Sequence, residues 1–160
     1  MADLKWKATP KAKIYEAWSA VADGRVKIVG DGSAEVQSSD RAKTYQVVWT
    51  NDKQSFGSND NASFFVGYAG YPIIAVAMAL GLVSYDQTVI SNFKDINWNR
   101  LNDLYKRRYD DVVDYVISKI EKDGRDTAER IRSHADVVFA NYKGLKLGRI
   151  SPPGEPPTRS

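Results

Sequence analysis

A run of small and polar residues, GSNDNAS at positions 57–63, concentrates side-chain oxygens in one short segment. Asparagine, aspartate and serine at the start of a helix place these oxygens beside backbone N–H groups that have no helical partner. Such an arrangement can hold an anion or a polar ligand. The same residue types are preferred in turns and helix caps, which is the alternative interpretation.

The ligand-binding hypothesis extends from this loop to the tyrosines that follow it. Gly67 and Gly70 permit a bend or a close backbone approach beside them. The predicted ligand-binding residues are Ser58, Asn59, Asp60, Asn61, Tyr68 and Tyr71. Asp60 is also the candidate acid or base if the site belongs to a small-molecule enzyme. The loop lacks the alternating ligands and the later glutamate of a calcium loop, so no metal is predicted there.

Three consecutive cations, KRR at 106–108, form a second candidate site. At most two of them share a helix face, and Asp103, Asp110 and Asp111 lie close enough to pair with them. Solvated, partly paired charge is the first interpretation, and a phosphate-binding or nucleic-acid-binding surface is the other. If the last helices align their basic faces, that surface would use Lys106, Arg107, Arg108, Arg130 and Arg132.

His134 is the only histidine. A general base needs an orienting partner, and Asp136 points away from His134 on a helix, so a surface histidine is expected. With no cysteine in the chain, a metal site would depend almost entirely on carboxylates. No metal and no cofactor are predicted. The sequence also lacks the GxGxxG, GxxxxGK[ST], HExxH and GxSxG motifs, which favours a binding module over an enzyme.

The charge balance argues against a dedicated nucleic-acid binder. The chain has 23 basic and 20 acidic residues, a net charge of +3, and the two signs are interspersed. Basic residues at the amino terminus are followed by no apolar run, so a secretory signal is not expected. A composition without cysteine is compatible with a reducing compartment, and a cytoplasmic location is predicted.

Residues 61–85 carry no charge and raise the question of a membrane span. A spanning helix needs about 20 apolar residues. Pro72 and Gly81 instead frame a short helix, PIIAVAMAL, because proline favours a helix start and glycine a position just past its end. That helix would be roughly 14 Å long, about half of a ~30 Å hydrocarbon core. A central helix buried by protein is therefore predicted, with no membrane partner.

An antiparallel sheet is predicted between a first helix, about 10–22, and this central helix. Gly24 ends the first helix, and the apolar period then changes to two, which is typical of strands. Asp31 and Gly32 supply a hairpin turn. The strand segments are RVKIV, the stretch from Ala34 to Ser38, KTYQVVWT and, as an optional fourth strand, KQSFG.

Amphipathic helices are predicted in the second half of the chain. A short helix is expected within 86–94, and one long helix runs from Trp98 to a stop at Gly124. Asp126 and Glu129 resemble a capping box that opens a further helix, which Gly144 closes. The tail SPPGEPPTRS contains four prolines and is expected to be extended or flexible.

Together these features predict an α+β fold: an N-terminal helix, an antiparallel three- to four-stranded meander, a buried central helix and a helical C-terminal half. A single domain is expected over 1–150, with a flexible tail over 151–160. The first functional hypothesis is a small binding or interaction domain that uses either the segment 57–71 or the solvent-exposed face of the sheet, with a small polar or anionic ligand. The alternatives are a nucleic-acid-associated protein that uses the basic C-terminal helices and a small-molecule enzyme with its site near 57–71.

Overall fold

The computed structural model describes residues 5–157 and confirms the α+β class. The helices are α1 (Lys13–Ala22), α2 (Tyr71–Ala79), α3 (Gln87–Ile90), α4 (Trp98–Leu104), α5 (Tyr109–Lys122) and α6 (Ala128–Gly144). The strands are β1 (Val26–Gly30), β2 (Ser33–Gln37), β3 (Thr44–Trp49), β4 (Ser55–Ser58) and β5 (Gly148–Arg149). Two further turns are a π-helical turn, Ala62–Val66, and a 3₁₀ turn, Ser91–Phe93.

The sheet is a meander of four antiparallel strands extended by a fifth. Its strand order is β1-β2-β3-β4-β5, and β5 pairs parallel to β4. Alternation places Tyr45, Val47 and Trp49 in the core and leaves Thr44 and Gln46 exposed, as the period of two predicts. The sequence does not indicate β5, because two residues are too few to show a period.

The central helix α2 is enclosed by protein. It packs against α1 and against strands β1–β4, and residues 72–78 are buried. Pro72 lies in the first turn and Gly81 adopts φ +79°, which confirms the predicted start and stop signals. Within residues 5–157, the helices fall short of the combined length and apolar content that crossing a bilayer requires.

The prediction of one long helix from Trp98 to Gly124 is wrong, because the chain turns between α4 and α5. Lys106 and Arg107 adopt left-handed conformations, with φ of 52° and 62°. The apolar spacing continues through the turn, and no glycine or proline marks it, so the pattern alone could not reveal it. Tertiary contact decides the geometry: the turn brings the Tyr109 ring to 3.8 Å from the Lys13 ammonium.

The start of α6 differs by one residue from the predicted capping box. Thr127 is the N-cap, and its Oγ1 accepts a hydrogen bond from Arg130 N at 3.2 Å. Asp126 instead accepts hydrogen bonds from Asn92 Nδ2 at 2.8 Å and Arg130 Nη1 at 2.6 Å. Its carboxylate therefore joins α6 to the 3₁₀ turn after α3, and this tertiary role competes with capping.

His134 is half-buried, so the prediction of a surface histidine is wrong. Its ring stacks on Trp18 with centroids 5.3 Å apart, and its Nε2 accepts a hydrogen bond from Asp86 N at 2.9 Å. Burial lowers the pKa of His134; the Asp86 carboxylate opposes this shift and the Arg130 guanidinium adds to it. The ring is thus held neutral as an acceptor between α3 and α6.

Replacing His134 with glutamine is expected to flatten the pH dependence of stability in mild acid. Because the folded pKa lies below the unfolded value of about 6.5, the contribution of His134 is fully present above about pH 6.5 and is lost as the pH falls from there through the folded pKa. Urea unfolding at several values between about pH 7.5 and pH 5 measures the effect. If the free energy of unfolding changes with pH equally in wild type and His134→Gln, the proposed role of the neutral ring is contradicted.

Candidate functional site

A groove of about 730 Å³ lies between the sheet, the π-helical turn and the turn that joins α4 to α5. Its inner lining, defined here as its buried residues, consists of Lys13, Glu16, Tyr45 and Asp60. Its rim, defined as exposed residues at the mouth, includes Phe65, Val66, Asp103 and Arg107. Further lining residues are Asp40, Ala42, Lys43, Asn61, Ala62, Tyr68, Tyr71, Asn99, Asn102 and Tyr109.

A buried ion pair occupies the inner lining. Lys13 Nζ lies 2.8 Å from Glu16 Oε2, and the two side chains are only 9% and 7% exposed. Their spacing of three residues puts both on one face of the first turn of α1. Ile14 and Trp18 lie on the other side of the helix and are fully buried in the core, so packing fixes the rotation of the helix.

Both members of this pair have further partners around the groove. Asn102 Nδ2 of α4 donates to Glu16 Oε1 at 3.3 Å, and the Lys13 ammonium lies over the face of Tyr109. Burial is the largest single effect and lowers the pKa of Lys13, but the charge and hydrogen bond of Glu16, with smaller contributions from Tyr68 and Tyr109, together outweigh burial and raise that pKa. Lys13 is therefore a charged hydrogen-bond donor at neutral pH, not a neutral amine available as a nucleophile.

Asp60 organises the opposite wall of the groove. Ser63 Oγ donates to Asp60 Oδ1 at 2.7 Å, and Ser63 N donates to Asp60 Oδ2 at 3.1 Å. Gly70 N in turn donates to Ser63 Oγ at 3.0 Å. The carboxylate lies so close to Gly70 that a β-carbon there would overlap Asp60 Oδ2. These contacts fix the start of the π-helical turn and the start of α2.

Residues near the start and near the end of the described range also contact the π-helical turn, on the side away from the groove. Arg149 Nη2 donates to Ser63 O at 3.1 Å, and its guanidinium lies 4.8 Å from the centre of the Trp6 ring. Lys7 N donates to Gly67 O at 2.8 Å. A π-helical turn is uncommon and is often found at functional sites. Here it carries Phe65 and Val66 to the rim, where they are 70% and 50% exposed.

Four of the six predicted ligand-binding residues, Asp60, Asn61, Tyr68 and Tyr71, line the groove. Burial raises the pKa of both Tyr68 and Tyr71, so their hydroxyls are neutral hydrogen-bonding groups at physiological pH. Their proposed contact with a ligand stays a prediction.

The other two predicted ligand-binding residues have structural partners. Ser58 is buried, and its Oγ accepts a hydrogen bond from Asp60 N at 3.3 Å. Asn59 Oδ1 accepts from Gln46 N at 2.8 Å, while its Nδ2 donates to Glu155 O at 3.2 Å. Asn59 therefore ties β3 to the proline-rich tail. Neither residue lines the groove.

Three of the five predicted nucleic-acid residues, Arg108, Arg130 and Arg132, are paired with carboxylates. Arg130 pairs with Asp126 and Asp86, at 2.6 Å and 3.4 Å, and Arg132 pairs with Asp114 at 2.6 Å. In the turn between α4 and α5, Arg108 lies 3.4 Å from Asp111. Lys106 is exposed, and Arg107 lines the groove. Binding of nucleic acid by these five residues stays a prediction.

Sequence reasoning missed the ion pair and the wall formed by α4 and the following turn. A lysine and a glutamate three residues apart in the first helix were visible as a possible ion pair, but nothing in the spacing indicated that both would be buried. Asn102 and Tyr109 belong to the helix that was predicted as continuous. Their approach to α1 depends on the turn, which the sequence pattern does not show.

The groove offers hydrogen-bonding and charged groups together with aromatic faces. Within the described range 5–157, no three histidine, aspartate or glutamate side chains lie close enough together to hold a metal ion. The described groups can therefore orient and bind a polar molecule through ammonium, guanidinium, amide, phenol and carboxylate groups.

The family described as "Uncharacterised conserved protein UCP014422" matches residues 6–148. No curated protein and no solved structure matches the chain.

Replacing Gly70 with alanine is expected to lower the free energy of unfolding by about 2 kcal/mol or more, because the added methyl group overlaps the Asp60 carboxylate. Gly144→Ala is the matched control, since a β-carbon there meets open space at the end of a helix. That control should be neutral or up to about 1 kcal/mol more stable. Chemical denaturation measures both, and a Gly70→Ala variant as stable as Gly144→Ala would contradict the close approach.

Breaking the buried ion pair is expected to be costly, whereas replacing both partners is not. Lys13→Met or Glu16→Met alone leaves one buried charge unpaired and should cost about 3–5 kcal/mol. The double variant Lys13→Met/Glu16→Met should lie within about 1 kcal/mol of wild type or above it. A double-mutant cycle measured by urea denaturation tests this coupling. Additive losses in the double variant would show that the charges themselves are needed for folding.

Proposed function

The chain belongs to the family UCP014422, and from this premise we propose that it is a small binding domain whose groove holds a polar small molecule. The matched residues, 6–148, include every residue that lines the groove. The family description assigns no activity, so the proposal is drawn from the groove itself.

The observation that carries the proposal is the buried Lys13–Glu16 pair facing the groove. Removing two charges from water costs several kcal/mol per ion, and apolar residues of similar volume usually stabilise a core as well or better. Stability alone therefore gives little reason for an ion pair at this position. Buried charged groups in a cleft are a recurring property of functional sites.

The shape and lining of the groove support a ligand of metabolite size. A volume of about 730 Å³ lies within the roughly 300–1,000 Å³ range of small-molecule sites. Polar groups on the inner lining would orient one part of the ligand, while Phe65 and Val66 at the rim would contact a less polar part. This division between specific polar contacts and apolar enclosure is typical of such sites.

We favour binding over catalysis because the inner carboxylates are already engaged within the protein. Both Glu16 oxygens have partners, in Lys13 and Asn102, and both Asp60 oxygens accept hydrogen bonds from Ser63. A general base must be able to reach a substrate proton. An acid or base role for Asp60 would require Ser63 to yield one of these oxygens.

We also propose that the protein acts in the cytoplasm. The composition without cysteine supports this location because it suits a reducing compartment, where structural disulfides are rare. Fractionation of the source cells with an antibody against the protein tests this, and recovery in a membrane or secreted fraction would contradict it.

A thermal-shift screen tests the proposed function. Sugars, amino acids, carboxylates, phosphorylated metabolites and amines, each at about 10 mM, are added to wild type and to Lys13→Met/Glu16→Met. A ligand present at about 100 times its Kd stabilises the folded state by about 2.7 kcal/mol, which corresponds to a shift of several degrees for a chain of this size.

At least one compound class is expected to stabilise the wild-type protein and to have little effect on the double variant. Because the double variant is expected to remain folded, its lack of response would locate binding at the groove. If no class shifts the wild type, or if every active compound shifts both proteins equally, the proposed function is wrong.

A further inference from the structure

The position that a cationic ligand would take in the groove is already filled by the chain itself. Aromatic faces and carboxylates attract cations, and several tyrosines line this groove beside Glu16 and Asp60. The Lys13 ammonium lies 3.8 Å from the Tyr109 ring centre and 2.8 Å from Glu16. A second cation placed there would face a buried, positively charged amine.

Three of the four carboxylates that line the groove already bind groups of the protein itself. Glu16 and Asp60 are fully engaged, as described above. Asp40 accepts hydrogen bonds from Ser38 Oγ at 2.7 Å and Ala42 N at 3.0 Å, and the hydrogen bond from Ser38 is the main reason that the pKa of Asp40 is lowered. These three carboxylates are acceptors for donors that the fold supplies.

The side chains of Lys43 and Arg107, by contrast, have no bonding partner within the described residues. Within residues 5–157, neither side chain has a carboxylate at ion-pair distance or a hydrogen-bond acceptor, although both line the groove. Asp103 is exposed and likewise unpaired in this range. Four carboxylates and three cations line the groove, so the case for an anion rests on which groups lack a partner and not on the net charge. Arg107 is brought to the groove by two successive left-handed residues, a conformation that costs about 1–3 kcal/mol at each.

Lys13 adds donor capacity on the inside of the groove. An ammonium has three N–H donors, and the Glu16 carboxylate lies close enough to take one of them. An anionic oxygen that entered the groove could therefore meet Lys13 inside and a guanidinium or ammonium at the mouth. Such charge-assisted hydrogen bonds are about twice as strong as neutral ones.

We propose that the groove recognises a small molecule through an anionic oxygen group, a carboxylate or a phosphate, held by Arg107 and Lys43 with Lys13 beneath them. The inference rests on the proposed function and adds the charge of the ligand to it. Arg107 supplies a planar fork suited to two oxygens of either anion, whereas the lysines act as point charges.

A matched set of probes on one carbon skeleton tests the charge preference. Glucose 6-phosphate, gluconate, glucose and glucosamine present a phosphate, a carboxylate, no charge and a cation, respectively. Each is titrated by calorimetry at a constant ionic strength of about 0.1 M, so that screening of surface charge is the same in every titration. The proteins are wild type, Arg107→Gln, Arg108→Gln and Lys13→Met/Glu16→Met.

At least one of the two anions is expected to bind wild type about 10-fold or more tightly than glucose and glucosamine do. Tighter binding of glucose 6-phosphate would indicate a phosphate ligand, and tighter binding of gluconate a carboxylate ligand. Arg107→Gln should lower the affinity for that anion by about 10-fold to 100-fold, since hydrogen bonds to charged groups contribute on this scale. Arg108→Gln is the control, because Arg108 pairs with Asp111 and lies outside the groove lining. Its affinity should stay within about twofold of wild type.

Other outcomes overturn the inference. Equal losses of affinity for the anion in Arg107→Gln and Arg108→Gln would mean that the anion is attracted by diffuse positive charge and not by a specific contact with Arg107. Binding of glucose or glucosamine that matches the anions and is lost in Lys13→Met/Glu16→Met would contradict the anion preference while leaving the proposed function intact. If none of the four probes binds, the preference is rejected for this groove, and the thermal-shift screen separately decides whether the groove binds a ligand at all.

Discussion

The ion pair between Lys13 and Glu16 is the interaction on which the arrangement of the groove depends. Its charges lie on the first turn of α1, and the core contacts of Ile14 and Trp18 prevent the helix from rotating them into water. Burial of unpaired charge would be prohibitive, so the surroundings must supply partners. Asn102 donates a hydrogen bond to the Glu16 carboxylate, and the Tyr109 ring lies against the Lys13 ammonium. The position of α4 and of the turn after it is thereby coupled to α1.

A second set of contacts fixes the opposite wall. Asp60, Ser63 and Gly70 form one hydrogen-bonded unit that joins the end of β4 to the start of α2, and Arg149 holds the same unit from behind. The wall therefore depends on residues far apart in the chain, from Lys7, which donates to Gly67 O, to Arg149 in β5. A groove held on both sides in this way is largely formed before a ligand arrives, which lowers the entropy lost on binding.

Sequence reasoning recovers the features that come from local patterns and misses those that come from tertiary contact. The short apolar helix, the hairpin at Asp31 and the glycine stops follow from spacing and turn chemistry, and the structure contains them. The break before Tyr109 has no such signal, because the apolar period runs through it. The loop around Asp60 could be found since it concentrates polar residues, whereas Lys13 resembles any surface lysine until the fold buries it. The side of the groove around Asp60 can therefore be predicted from the sequence, whereas the side formed by Lys13, Asn102 and Tyr109 cannot.

The most direct test of the central claim is to map where small molecules bind. A ¹H–¹⁵N correlation spectrum of the labelled protein, recorded with and without the compounds that stabilise it, reports the environment of each backbone amide. Binding in the groove predicts shift changes concentrated at residues 13–16, 60–71 and 99–109. Changes concentrated instead on α6, or spread evenly over the surface, would contradict it.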